Sequence, residues 1–223
     1  ALVAQFSIAL SFASLFFVLP ASIGAIFFSE MAASKDKEQS DSLISLLLWL
    51  VLLYTGFCFI LVYWLPVISK TLISGLPEEL LDGAVSQARL IILCIPFFGI
   101  INVCSCVLES RSHTSIVAKF RMWQVFFHAA CVIVVLVLLG RNEWMSDDSV
   151  ALAYLFSDII FSIAAYALMR KYCQFGFSFN FRGLPGRRIF SVLIPGYANS
   201  FFGKYLLYIL SMSVAGLGAM YSA

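Results

Sequence analysis

Residues 43–68 read LISLLLWLVLLYTGFCFILVYWLPVI, from Leu43 to Ile68, with no charged side chain. A bilayer core about 30 Å thick needs roughly 20 apolar residues in a helix, so this stretch is long enough to cross. The run is continuous, unlike the alternating strands of about 10 residues in a membrane barrel. Outward from it lie five stretches of the same character, at about 2–28, 90–108, 122–139, 150–169 and 189–217. The expectation is an all-α, polytopic transmembrane helical bundle of about six spans, forming one region over residues 1–223. The chain opens at Ala1 with no basic segment ahead of the first apolar run, and it is read as a piece of a longer membrane protein.

Composition agrees. Of 223 residues, 62% are hydrophobic and 12% charged, against about 25% charge in soluble domains. That excludes a water-soluble enzyme domain, a disordered chain and a nucleic-acid binder with a basic face. Cys58, Cys94, Cys104, Cys106 and Cys131 lie inside apolar runs and read as small buried hydrophobes. Cys173, in a basic loop, reads as a reduced thiol. No cysteine spacing suits a metal, and no metal or other cofactor is expected. There is no Walker-type glycine loop, GxSxG, HExxH or CxxC. No catalytic residue is therefore assigned, and any transport is expected to follow an ion or voltage gradient.

Charge placement sets the topology. Loops 29–42, 109–121 and 170–188 hold ten Lys and Arg, including Arg111, Lys119 and Arg121; the other two loops hold three. The positive-inside rule puts the ten in the cytoplasm of a cytoplasmic (inner) membrane protein.

Charges within spans are costly and usually face a bundle interior or cavity. Lys204 lies deep in the last span, after Asn199 and Ser200. These three are the candidate cargo-binding residues, with Lys204 able to hold an anionic head group. Lys204 also reads as a side chain snorkelling to the interface or pairing with Asp158. Asp158 and His128 are the candidate ion-coupling groups, for a proton or cation. Each also reads as an ordinary interhelical partner, as do Gln5, Asn102 and Gln124. Pro20, Pro66, Pro96 and Pro195 fall in or at the ends of spans, where bent helices are common in transporters.

Several stretches carry a family resemblance. Ile26-Phe27-Phe28-Ser29-Glu30 leads into a charged loop. Ala88-Arg89-Leu90 and Ile95-Pro96-Phe97-Phe98 precede Val107-Leu108-Glu109-Ser110-Arg111. Val150-Ala151-Leu152-Ala153-Tyr154 opens the fifth span. Gly183-Leu184-Pro185-Gly186-Arg187-Arg188 precedes Leu193-Ile194-Pro195-Gly196, and residues 215–223 close the chain. Together they resemble the MviN/MurJ-like lipid II flippases of the multidrug/oligosaccharidyl-lipid/polysaccharide exporter superfamily. The resemblance implies that the six spans are the second to seventh helices, most of the first of two bundles around a central cavity. It implies a flippase that moves a lipid-linked oligosaccharide or peptidoglycan precursor by alternating access, with membrane lipid and that cargo as partners. In lipid II flippases the helix matching residues 1–28 carries an acidic residue and Arg residues. Here it has no charge before Glu30. The rival readings are a drug/cation antiporter of the same superfamily and a non-transporting membrane scaffold.

Overall fold

The computed structural model describes residues 2–34, 36–72, 78–139, 148–174, 190–191, 193–206 and 209. Every regular element among them is a helix: α1 (Leu2–Ala13), α2 (Val18–Ala33), α3 (Lys37–Leu72), α4 (Glu78–Ile92), α5 (Ile95–Ser110), α6 (Thr114–Leu139) and α7 (Ser149–Cys173). Residues 193–206 are helical as well. In hydrocarbon each backbone polar group must be satisfied within the protein, which a helix does along its own length. Hydroxyl groups follow the same rule: Ser22 donates to the Val18 carbonyl at 2.7 Å and Thr55 to the Val51 carbonyl at 2.8 Å.

Three helices are each long and apolar enough to cross a membrane: Lys37–Val67, Thr114–Leu138 and Ser149–Cys173. The third expected span is a bent pair, α4 with α5, turning by 43° at Leu93–Cys94. The first expected span is also divided, into α1 and α2, by a turn at Ser14–Phe17. Proline explains both positions. Its ring clashes with the carbonyl four residues earlier. For Pro96 that residue is Ile92, where α4 ends; for Pro20 it is Phe16, inside the turn. The turns keep their backbone paired by i→i−3 bonds, such as Phe16 N–H to the Ala13 carbonyl and Cys94 N–H to the Ile91 carbonyl, both 2.9 Å.

Two loops are shorter than the sequence reading expects. Residues 78–87 are helical, the start of α4, and the 109–121 loop shrinks to Arg111–His113 because α6 begins at Thr114. This moves Lys119 and Arg121 from a loop into a helix. Of the expected span 189–217, residues 190–191, 193–206 and 209 are described; the remainder lies outside the described residues.

The packing follows the breaks. α1 runs along α4 and α2 along α5, so the two broken rods lie side by side and point the same way. Phe17 and Phe98, next to the two breaks, meet edge to face with ring centroids 5.2 Å apart. One core cluster fills the α1–α4 end, with Phe12, Leu65, Ile91 and Ile92; another fills the α2–α5 end, with Phe27, Leu47, Ile101 and Met169. Lipid hydrocarbon gives helices little hydrophobic reason to associate, so close approach through small residues matters. A Cβ on Gly24 would stand 3.2 Å from both the Asn102 carbonyl oxygen and the Cys106 Cβ. The Cys106 thiol donates to the Gly24 carbonyl at 3.1 Å. A Cβ on Gly99 would run into the Val51 side chain, and one on Gly196 would come within 2.7 Å of Ile26 Cγ1. The last contact seats the 193–206 helix on α2. Large apolar side chains left outward, such as Phe57, Ile60, Trp123 and Phe126, form a lipid-facing surface.

The described polar ties sort the loops by end. Arg111 Nη2 donates to the Ser34 carbonyl at 3.1 Å and to Ser40 Oγ at 2.9 Å. His113 packs on Tyr172, with centroids 5.2 Å apart. Residues of all three basic loops thus share one end. At the other end Ser86 donates to the Asp148 carboxylate at 3.2 Å.

Candidate functional site

A cavity of about 850 Å³ opens at the level of the two helix breaks. Ser14 and Phe17 at the first break and Ile91 and Phe98 beside the second line it. α6 contributes Arg121, Gln124 and His128, α7 contributes Tyr154 and Asp158, and the 193–206 helix contributes Lys204. Broken helices beside a polar cavity are how transporter bundles place irregular backbone away from lipid.

Two smaller cavities join it. One, about 470 Å³, lies between α2 and the 193–206 helix and is lined by Ser22, Ser200, Gly203 and Lys204. The other, about 390 Å³, is lined by Asn102, Ser105, Cys106, Glu109 and Arg121. Ala21 lines all three. This small residue on α2 leaves space where a larger one would close it.

The cationic groups differ in how they are held. Arg121 Nη2 donates to Asn102 Oδ1 at 2.6 Å, and its Nη1 donates to Gln124 Oε1 at 3.1 Å. Gln124 shares the cavity wall with Asp158. Asn102 in turn donates its Nδ2 to the Phe98 carbonyl at 2.9 Å. The result is a chain Asn102–Arg121–Gln124 joining α5 to α6, with Asp158 of α7 on the same cavity wall. Asp158 is buried at 2% exposure; a buried charge calls for a compensating partner, and the Arg121 charge acts on it across the cavity wall. Lys204 is exposed on its helix, and among the described residues nothing hydrogen-bonds or ion-pairs with it. It is a mobile point charge, whereas the Arg121 fork is fixed.

The sequence-derived candidates fall out as follows. Lys204, Asp158 and His128 line one cavity. Among the described residues Lys204 makes no ion pair with Asp158. Ser200 joins Lys204 in the neighbouring cavity. Asn199 is exposed and lines none of the three. His128 stands edge-on to Tyr154, centroids 3.5 Å apart, and its Nε2 is buried without a hydrogen-bond partner. The side chain of Gln5 lies outside the described residues. Sequence reasoning missed Arg121, counted as a loop charge, and Tyr154. The available signal was spacing: Arg121, Gln124 and His128 recur at i, i+3 and i+7, one face of a helix.

A family model described as MatE matches residues 2–134, which take in α1 to α5 and most of α6. The matched stretch includes Arg121, Gln124 and His128; Asp158 and Lys204 lie beyond it. No curated protein and no solved structure matches the chain.

Proposed function

We propose, because this chain belongs to the MatE family and is thereby a multi-pass membrane transporter of the multidrug/oligosaccharidyl-lipid/polysaccharide superfamily, that its cavity carries a cargo with an anionic head group. The favoured class is a lipid-linked oligosaccharide or peptidoglycan precursor, moved across the cytoplasmic membrane by alternating access. The single observation behind this is the pair of cations, Arg121 and Lys204, lining one cavity from different helices. Arg121 offers a rigid planar fork suited to a phosphate, and Lys204 a flexible charge that follows it. The apolar residues around them, among them Leu10, Phe17 and Val125, suit the first carbons of a lipid chain. Residues 1–223 act as one helical region, forming most of one bundle that rocks against a second.

The energy comes from an ion or voltage gradient. The membrane potential supplies about 2.3 kcal/mol per charge per 100 mV, enough to bias states a few kcal/mol apart. Asp158, buried beside Gln124 and sharing the cavity with His128, is the coupling group. Asp158 also favours a second reading, a drug/cation antiporter, since a buried carboxylate in a cavity suits a cationic solute.

The test uses the full-length protein in proteoliposomes with an imposed gradient. A polyprenyl pyrophosphate-linked sugar, its neutral glycolipid analogue and a lipophilic cationic drug are offered separately. Movement of the pyrophosphate-linked sugar alone, without ATP, is the expected result. Movement of the drug alone would replace the flippase reading with the antiporter, and movement of none would overturn both cargo readings.

A further inference from the structure

We propose that the smaller cavity beside Arg121 is a subsite for the sugar joined to the cargo's phosphate, with Ser105 and Glu109 taking its hydroxyl groups while Arg121 holds the phosphate at the shared wall. The inference rests on the transport reading above and deepens it by naming the part of the cargo that is recognised besides its charge.

Two polar groups of this cavity are left unused by the protein. A serine within a helix commonly returns its hydroxyl to a carbonyl of the preceding turn. Ser22 does so at 2.7 Å, and Ser45, Ser110 and Ser162 at 2.8 Å. Ser105 differs. It is 5% exposed and lines the cavity, yet among the described residues its hydroxyl makes no hydrogen bond. Such a group can both donate to and accept from a polar ligand. Glu109 follows four residues later on the same face of α5. Its carboxylate, an acceptor only, makes no hydrogen bond or ion pair among the described residues. In the last turn of α5 it also opposes the helix dipole, so it does not stabilise the helix that carries it.

The rest of the wall suits a sugar ring. Ala21, Gly24 and Ala25 on α2 project little side chain, and Phe28, 41% exposed, borders the same space and offers an apolar face to the carbon-bound hydrogens of a ring. The volume of about 390 Å³ falls in the range of small-ligand sites, roughly 300–1,000 Å³. The order of groups also matches the order of such a cargo. The main cavity has apolar residues Leu10 of α1 and Phe17 of the first break; Arg121 lines both cavities; the smaller one is walled by α2 and α5 and reaches Glu109, two residues before the Arg111 that ties the basic-loop end. Lipid, phosphate and sugar follow one another in that sequence. The Glu109 carboxylate repels a further anion, so the ring is one that carries hydroxyl groups and no acid.

The experiment compares two cargos in proteoliposomes of the full-length protein under an imposed gradient. One is a polyprenyl pyrophosphate carrying a single glucose; the other is polyprenyl pyrophosphate methyl ester, which keeps the charge and lacks the sugar. The wild type is expected to show a KM at least about 5-fold lower for the glucose-bearing cargo, the effect of one or two hydrogen bonds. Ser105→Ala, which removes one oxygen atom, and Glu109→Gln are each expected to cut that preference by about 3-fold or more. Lys204→Ala is expected to raise KM for both cargos and keep the preference, since Lys204 does not line the smaller cavity. Equal KM values in the wild type, or a preference that Ser105→Ala and Glu109→Gln leave unchanged, overturn the subsite. Should Glu109→Gln fail to fold, Ser105→Ala decides alone. Wild-type protein that moves neither cargo would overturn the transport reading itself, and the subsite with it.

Discussion

The α2 helix builds two regions with opposite outcomes. Toward α5 it closes: Gly24 lies against the Asn102 carbonyl and the Cys106 side chain, and the Cys106 thiol bonds back to the Gly24 carbonyl. One turn earlier, at Ala21, the same helix leaves space and lines all three cavities. The seam is closed by backbone meeting backbone. The cavity is kept open by small residues with no facing ridge, and its polar wall is carried by other helices. Packing and open space are therefore set within one short segment, and Gly24, Asn102 and Cys106 of the seam also border the smaller cavity. Within the cavity the division repeats, since among the described residues Arg121 is tied by two hydrogen bonds and Lys204 by none.

Substitutions on each side of this division should separate stability from transport. The largest loss of stability is expected for Gly24→Leu, because the new side chain meets the Asn102 carbonyl, which cannot step aside without moving α5. Overpacking of this kind costs about 3 kcal/mol, read as a lowered unfolding midpoint in detergent and reduced membrane yield. Unchanged stability would mean that the seam is not closed as described. Next comes Arg121→Ala. It removes the donor to half-buried Asn102 Oδ1 and strands buried Gln124 Oε1, and an unsatisfied buried group costs about 1–3 kcal/mol. Transport should also fall by at least 10-fold, so this variant should lose on both measures, and loss on only one would break the assignment of Arg121 to both roles. Arg111→Ala should cost less, about 1 kcal/mol for hydrogen bonds at a partly exposed end. Its signature is local: faster amide exchange in Ser34–Ser40 with the cavity unaffected. Uniform exchange across the chain would contradict a clamp confined to that end.

Much of the fold was legible because hydropathy reads length and polarity well. α3, α6 and α7 coincide in their middles with expected spans, since each apolar run is continuous. The breaks at Ser14–Phe17 and Leu93–Cys94 were hidden, because the residues in them are as apolar as the helices they divide. Only Pro20 and Pro96, placed a few residues later, betrayed them, and Pro66 sits inside α3 with the helix running on to Leu72. A proline thus marks a possible break, and packing decides whether the chain takes it. Arg121 was hidden for a different reason. A charge at the edge of an apolar run reads as loop, and only the start of α6 at Thr114 brings it about two turns into the helix. Lys204, Asp158 and His128, which line one cavity, stood out in the sequence because an ionisable group within a span calls for a cavity or a partner.

The central claim, that Lys204 is the untied charge awaiting an anionic cargo, is tested by one comparison. The full-length protein and its Lys204→Ala and Lys204→Arg variants are reconstituted, and gradient-driven uptake of a pyrophosphate-linked lipid sugar is measured beside the unfolding midpoint. Because no described residue depends on Lys204, the account predicts midpoints equal to within about 0.5 kcal/mol in stability, as for surface substitutions. It predicts uptake lowered about 10-fold or more by Ala and largely kept by Arg. Unchanged uptake in Lys204→Ala, with the protein folded, would contradict it.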